Sequence, residues 1–183
     1  MRRPDLRWLV VFAGNVLFLF IVGQLNHHLT HVSLGFTGSG PVYLFLLGLP
    51  VAFAALRLSL RHGLTAVVAT SLFVEAELPL RPGILMLAAA ACFCTTIAIR
   101  TNFNRFESSS ALIAAILINL ALFAFLTAFS LVSGGSVSLG RILVDLAISQ
   151  LTLAAICGWF FAWQLALLRL FGFNLETELS EPL

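Results

Sequence analysis

The chain has 183 residues, of which 60% are apolar and 10% are charged. An ordinary soluble domain carries about 25% charged residues. A soluble fold of this length leaves too much surface exposed to hide so many apolar side chains, so water is excluded as the solvent of most of the chain. The net charge of +2 comes from ten scattered arginines and no lysine. A charge so small and dispersed points to no nucleic-acid partner.

The first element follows Arg2, Arg3 and Arg7 and turns apolar at Trp8. A secretory signal also starts with positive charge, but the run 8–25 is long for one and has no small-residue cleavage site close behind it. It is expected to be a retained span. Five further apolar segments follow at 41–56, 63–78, 82–99, 111–132 and 142–168. A spanning helix needs about 20 mostly apolar residues. The first, fourth, fifth and sixth segments meet that, and the second does so if it runs on to Leu60. The third is the weak one, because Glu75 and Glu77 follow its short uncharged part. The expected fold class is all-α: a polytopic membrane helical bundle of about six transmembrane helices. It forms a single transmembrane domain over 1–183, with short cytoplasmic tails at 1–7 and 170–183.

The arginines set the orientation. Arg2, Arg3, Arg7, Arg57, Arg61, Arg100, Arg105 and Arg169 fall on one side of a six-span arrangement, and Arg81 and Arg141 on the other. Positive residues stay in the cytoplasm, which places both termini inside. The outer loops are then 26–40, 75–81 and 133–141, and neither face carries a soluble domain. Function is therefore expected in the membrane, or in contacts made by helix flanks, short loops and tails.

Polar groups inside hydrocarbon are costly, and each is a candidate site. Asp145 lies four residues after Arg141, so the two share a helix face and can pair. At 1.5 Å per residue, Asp145 sits only about 6 Å from the level of Arg141, near the outer interface. The alternatives are a paired interfacial carboxylate and a contact with a partner. Glu75 and Glu77 either form a hydrated pair that stops the third span, or Glu75 faces the bundle and orders a neighbouring helix. Asn15, Asn119, Gln150 and Gln164 lie within spans, where amides commonly hydrogen-bond between helices. Ala88 to Ala91, with Ala121, Ala124 and Ala128, permit close helix approach.

His27 and His31 have the i, i+4 spacing that sets two imidazoles on one helical face, with His28 beside them. Zinc would need a third or fourth ligand, and no carboxylate or cysteine is near in sequence, so no metal site is expected. Cys92, Cys94 and Cys157 lie in apolar stretches and read as small apolar fillers. No Gly-x-Ser-x-Gly elbow, His-Glu-x-x-His or phosphate loop occurs. Neither enzymatic activity nor a cofactor is expected.

The order of features resembles the bacterial rod-shape-determining membrane proteins of the MreD family over most of the chain. An Arg7-Trp8 dipeptide opens the first span, and Pro50 sits in the second. The third ends in Ser71-Leu-Phe-Val-Glu75 with Gly83 following, where the family typically has Gly-x-x-x-Asp, a loop and another glycine. An inner loop, Arg100-Thr-Asn-Phe-Asn-Arg105, precedes a long fifth span. Ser71 and Glu75 depart from the usual glycine and aspartate, although the acidic group is kept. The resemblance implies a fold like that of the substrate-binding subunits of energy-coupling-factor transporters. It also implies a non-enzymatic scaffold of the cell-elongation machinery in the bacterial inner membrane. Such a scaffold would act on peptidoglycan synthesis through MreC, with other elongation-complex membrane proteins as partners. Glu75, Asp145, Arg141 and Asn15 are the candidate packing or partner contacts. The alternative is a substrate-binding membrane subunit of a vitamin or micronutrient transporter, with the histidine-bearing loop 26–40 as a lid.

Overall fold

The computed structural model describes residues 6–29, 43–77, 82–100, 108–133 and 138–173. Those residues form six helices: α1 (Arg7–Leu29), α2 (Gly48–Arg57), α3 (Leu60–Glu77), α4 (Ile84–Ile99), α5 (Ser108–Val132) and α6 (Leu139–Leu170). The all-helical class follows from the composition. A chain in lipid must satisfy its backbone hydrogen bonds internally, and a helix does so within one segment. Three helices, α1, α5 and α6, are long and apolar enough to cross a membrane. The protein is thus a helical membrane protein.

The helices pack as a ring around a centre. The neighbouring pairs α1–α3, α3–α4, α4–α5, α5–α6 and α6–α1 close a circuit of five. The short helix α2 stands inside it and packs on α3, α4, α5 and α6. Every residue of α2 from Gly48 to Leu56 is buried. Its outward neighbours expose Leu17, Phe20, Leu87, Leu117, Leu151 and Trp159, as a surface solvated by lipid tails requires. Phe18 of α1, Phe53 of α2, and Phe160 and Phe161 of α6 interlock at the centre. The ring centroids lie 4.7 Å apart for Phe18–Phe160 and 5.3 Å for Phe53–Phe161.

Two segments differ from expectation. The second is not one helix over 41–56: residues 43–46 carry no regular structure and helix begins only at Gly48. Gly48 and Pro50 explain where it starts. Pro50 stands in the first turn, where a missing N–H is tolerated, and it would break a helix running through it. The fourth segment is also shorter than read, with a helix of 16 residues in place of 82–99. Gly83, at φ +93°, takes a left-handed conformation that ends helical continuity on its N-terminal side.

Candidate functional site

The broken second segment creates the central polar feature of the molecule. Extended backbone inside an apolar bundle exposes N–H and C=O groups that have no helical partner, and leaving them bare costs several kcal/mol each. Here three helices supply side chains in their place. Asn26 of α1 faces Leu44 with both ends of its amide: Nδ2 donates to the Leu44 carbonyl at 2.9 Å, and Oδ1 accepts from the Leu44 N–H at 2.7 Å. Asn119 of α5 makes a second clasp. Its Nδ2 donates to the Phe45 carbonyl at 2.9 Å, and its Oδ1 accepts from the Gly48 N–H at 3.0 Å. Ser149 of α6 accepts from the Phe45 N–H at 3.0 Å and donates to the Tyr43 carbonyl at 3.4 Å. Asp145, one turn earlier on α6, accepts from the Tyr43 N–H at 3.2 Å.

Close approach makes the Asn119 clasp possible. A Cβ on Gly48 would lie 2.5 Å from the Asn119 Cβ and 2.7 Å from the Ala115 carbonyl oxygen. Only glycine lets α2 reach α5 there.

A second polar cluster joins α1, α3 and α6. Asn15, fully buried, donates from Nδ2 to Thr70 Oγ1 at 3.1 Å and accepts from Gln164 Nε2 at 2.8 Å. Gln164 Oε1 is directed at Gly14, where an added Cβ would stand 2.8 Å from it. The Gln164 Oε1 itself is buried without a hydrogen-bond partner, so the cluster is held by Asn15, which bonds both neighbours and so helps fix helix register in lipid, where apolar packing alone is poorly directional.

Glu75 and Glu77 separate. Glu77 is exposed, whereas Glu75 is 6% exposed and turned into the bundle. Its Oε2 accepts from the Gly83 N–H at 2.7 Å and its Oε1 from the Met86 N–H at 2.9 Å. Gly83 has no side chain with which to cap α4, so a carboxylate from α3 takes the N-terminal N–H groups. A negative charge is favoured there by the helix dipole.

The Arg141 Nε lies 3.7 Å from Asp145 Oδ2, with the Arg141 side chain 40% exposed and that of Asp145 14% exposed. On the opposite end, Arg100 is buried and donates from Nη1 to the Leu58 carbonyl at 3.3 Å, closing the C-terminal end of α2. Arg7 lies over the Phe173 ring, 5.7 Å from its centroid, and ties the start of α1 to the residues after α6.

The four sequence candidates therefore occupy three different places. Asn15 belongs to the α1–α3–α6 cluster, Glu75 to the α4 cap, and Asp145 with Arg141 to the clasp on Tyr43. Among the within-span amides, Gln150 makes only a 3.5 Å contact to the Ile116 carbonyl. Sequence reasoning missed Asn26, assigned to an outer loop although α1 runs on to Leu29, and Ser149. The signal was Gly48-Leu-Pro50: a helix start inside an apolar run implies extended backbone before it and polar partners to hold it. His27 and His28 lie at the end of α1 with ring centroids 5.9 Å apart, while His31 falls outside the described residues. No group of three or more metal-ligating side chains occurs among the described residues.

The chemistry on offer is recognition and rigidity. Glu75, Asp145, Asn26 and Asn119 are spent on backbone groups of the same chain, and Asn15 and Gln164 on side chains of neighbouring helices. The cavity lined by Asn26, Tyr43 and Glu77, beside the extended segment, holds only about 60 Å³. Comparison with family models, with curated proteins and with solved structures finds no match to this chain.

Proposed function

We propose that this chain is a non-enzymatic inner-membrane scaffold of the bacterial elongation machinery, of the MreD kind. In this reading it holds MreC and, through it, links cytoplasmic filaments to wall synthases outside. The observation that carries the proposal is the filling of the bundle centre by α2, all but one of whose ten residues are buried. A subunit that captures a vitamin needs a hollow of roughly 300–1,000 Å³ with convergent polar groups. The cavity beside the extended segment is about 60 Å³, the polar groups around that segment already bind backbone, and a larger hollow on the lipid-facing flank has Arg57 as the one charged or amide side chain in its lining. That weighs against the transporter reading. It leaves outer helix flanks and short loops as the working surfaces.

The Glu75–Gly83 contact gives further support. The positions on which the family resemblance rests, an acidic residue ending the third helix and a glycine after the loop, meet in a 2.7 Å hydrogen bond. The substitution of aspartate by glutamate keeps a carboxylate that reaches the cap.

In the same reading the chain crosses six times with both ends inside. The second crossing is a broken one: α2 spans about 15 Å at 1.5 Å per residue, and the non-helical stretch 43–46 adds at most about 13 Å at 3.3 Å per residue. Their sum approaches the hydrocarbon thickness of about 30 Å.

The test is copurification from native membranes, together with depletion. Recovery of MreC with the tagged chain, and rounding of depleted rod-shaped cells, is the expected result. A nutrient requirement on depletion, with cell shape unchanged and no MreC recovered, overturns it in favour of transport.

A further inference from the structure

A second hollow lies on the flank of the bundle, between the start of α5 and the second half of α6. It has a volume of about 490 Å³. Its wall on α6 is made by Ala154, Gly158 and Ala162, which recur every four residues and so share one helix face. All three are exposed on the outside of the bundle. A Cβ built on Gly158 meets nothing within 4 Å, so the trough is open there and not filled by a neighbour. Phe161 forms part of its floor, and Arg57, at the C-terminal end of α2, stands at its head.

Length decides what fits. From Leu165, beside the head, to Ala154 at the far end is eleven residues of helix, about 16 Å at 1.5 Å per residue. One leaflet of hydrocarbon is about 15 Å deep, half of a core of about 30 Å. A partner helix crossing the membrane would need a seam about twice as long. A fatty-acyl chain anchored at one surface needs just this length, and the volume lies within the range of small-molecule sites.

Charge decides the headgroup. Arg57 sits on the same end of the bundle as Arg61 and Arg100, and a guanidinium at the edge of hydrocarbon is matched in geometry and sign by a phosphate. We propose that this groove binds one anionic phospholipid from the leaflet on the Arg57 side. An acyl chain lies along Ala154, Gly158 and Ala162, and the phosphate is at Arg57. The inference stands apart from the scaffold reading, since it rests on the groove alone.

Native mass spectrometry of the detergent-purified full chain tests it, with phosphatidylglycerol and phosphatidylethanolamine of identical acyl chains as probes. Wild type is expected to hold one phosphatidylglycerol per chain, with a preference of about fivefold over phosphatidylethanolamine, the effect of one basic residue on an anionic lipid. Arg57→Gln is expected to erase that preference and Arg57→Lys to retain it. Gly158→Leu, whose Cβ meets nothing within 4 Å and whose side chain occupies the trough, is expected to weaken binding of both lipids. Equal affinity of wild type for the two lipids overturns the proposal. So does an unchanged lipid complement in Gly158→Leu, which decides the matter even if Arg57→Gln fails to fold. A lipid-free dimer that Gly158→Leu dissociates also overturns it, and assigns the groove to a second copy of the chain.

Discussion

Glu75 on α3 and Gly83 at the start of α4 are joined by a 2.7 Å hydrogen bond from the Gly83 N–H to the Glu75 carboxylate, and the other oxygen of that carboxylate takes the Met86 N–H. One side chain thus caps a helix that cannot cap itself and fixes two neighbouring helices end to end. Hydrogen bonds to a charged group are worth about 1.5–3 kcal/mol. Glu75→Leu should therefore cost on the order of 2–3 kcal/mol, and Glu75→Gln, which keeps one acceptor but turns an amide N–H₂ toward the second donor, somewhat less. The readout is the melting temperature of the detergent-solubilised protein. A Glu75→Leu protein as stable as wild type would remove the cap from any account of the fold.

The glycines of the bundle should rank by what surrounds them. Gly48→Ala places a methyl against the backbone of α5, which cannot yield. Gly14→Ala presses on the Gln164 amide, which can swing away only by giving up its 2.8 Å bond to Asn15. Gly23→Ala meets nothing within 4 Å and gains helix propensity. We expect a loss of about 3 kcal/mol or more at Gly48, about 1–2 at Gly14, and no loss at Gly23. Any other order, scored as yield of monodisperse protein, would contradict the packing described.

Asn119 should matter more than an interhelical amide usually does. Side-chain hydrogen bonds between membrane helices average about 0.6 kcal/mol, because the alternatives also find partners. Asn119 instead satisfies a buried backbone carbonyl and a buried N–H that have no helical alternative. Asn119→Leu strands both, and should cost about 2–4 kcal/mol. Gln150→Leu, which loses a single 3.5 Å contact, should fall near the lower figure. Equal losses for the two variants would show that the extended segment does not depend on its clasp.

Sidedness can be read by thiol labelling. Cys92, Cys94 and Cys157 are first replaced by alanine, and single cysteines are placed at Ser138, before α6, and at Ser109, in the first turn of α5; both positions are exposed. The arginine distribution expects an impermeant reagent to modify Ser138→Cys in intact spheroplasts and Ser109→Cys only after lysis. The reverse pattern would invert the orientation.

The all-helical, apolar character of this fold was legible in the sequence, because apolar length acts over whole segments. Trp8 to Leu25 and Ala111 to Val132 needed only a count of residues. The interior of 41–56 was not legible in that way. A buried strand-like stretch and a buried helix are equally apolar, so Tyr43 to Leu47 carry no periodic signal to separate them. The partner residues were hidden for a different reason. Asn26 looks like a loop residue, and Ser149 like a small filler, until the backbone they serve is known to be extended. Glu75 was visible as an acidic residue too close to an apolar run, but its task depends on Gly83, eight residues on and beyond a turn. Length and charge are local properties of a sequence, whereas backbone satisfaction in lipid is settled only by tertiary neighbours.

Asp145 does two things, and a double-mutant comparison can separate them. It pairs with Arg141 at 3.7 Å, and it accepts the Tyr43 N–H at 3.2 Å through its other oxygen. The pair is loose, and the arginine side chain is 40% exposed, so solvent and snorkelling leave the ionic part worth at most about 0.5–1 kcal/mol. The hydrogen bond to Tyr43 holds the first N–H of the extended segment, which has no helical partner. Arg141→Ala should therefore cost about 0.5 kcal/mol or less, and Asp145→Ala about 1–2. The coupling between the two sites, read from the double variant, should not exceed about 0.5–1 kcal/mol, the worth of the ionic part. Asp145→Asn should recover most of the loss, since its amide oxygen still accepts from Tyr43 and only the charge is missing. Added salt should weaken wild type no more than Arg141→Ala, because the screened pair is the minor part. The opposite result, in which Arg141→Ala is as damaging as Asp145→Ala and asparagine fails to rescue, would make the ion pair the element that secures α6 to the extended segment. The carboxylate would then serve chiefly to hold an arginine at that end of the bundle, and the contact with Tyr43 would be incidental.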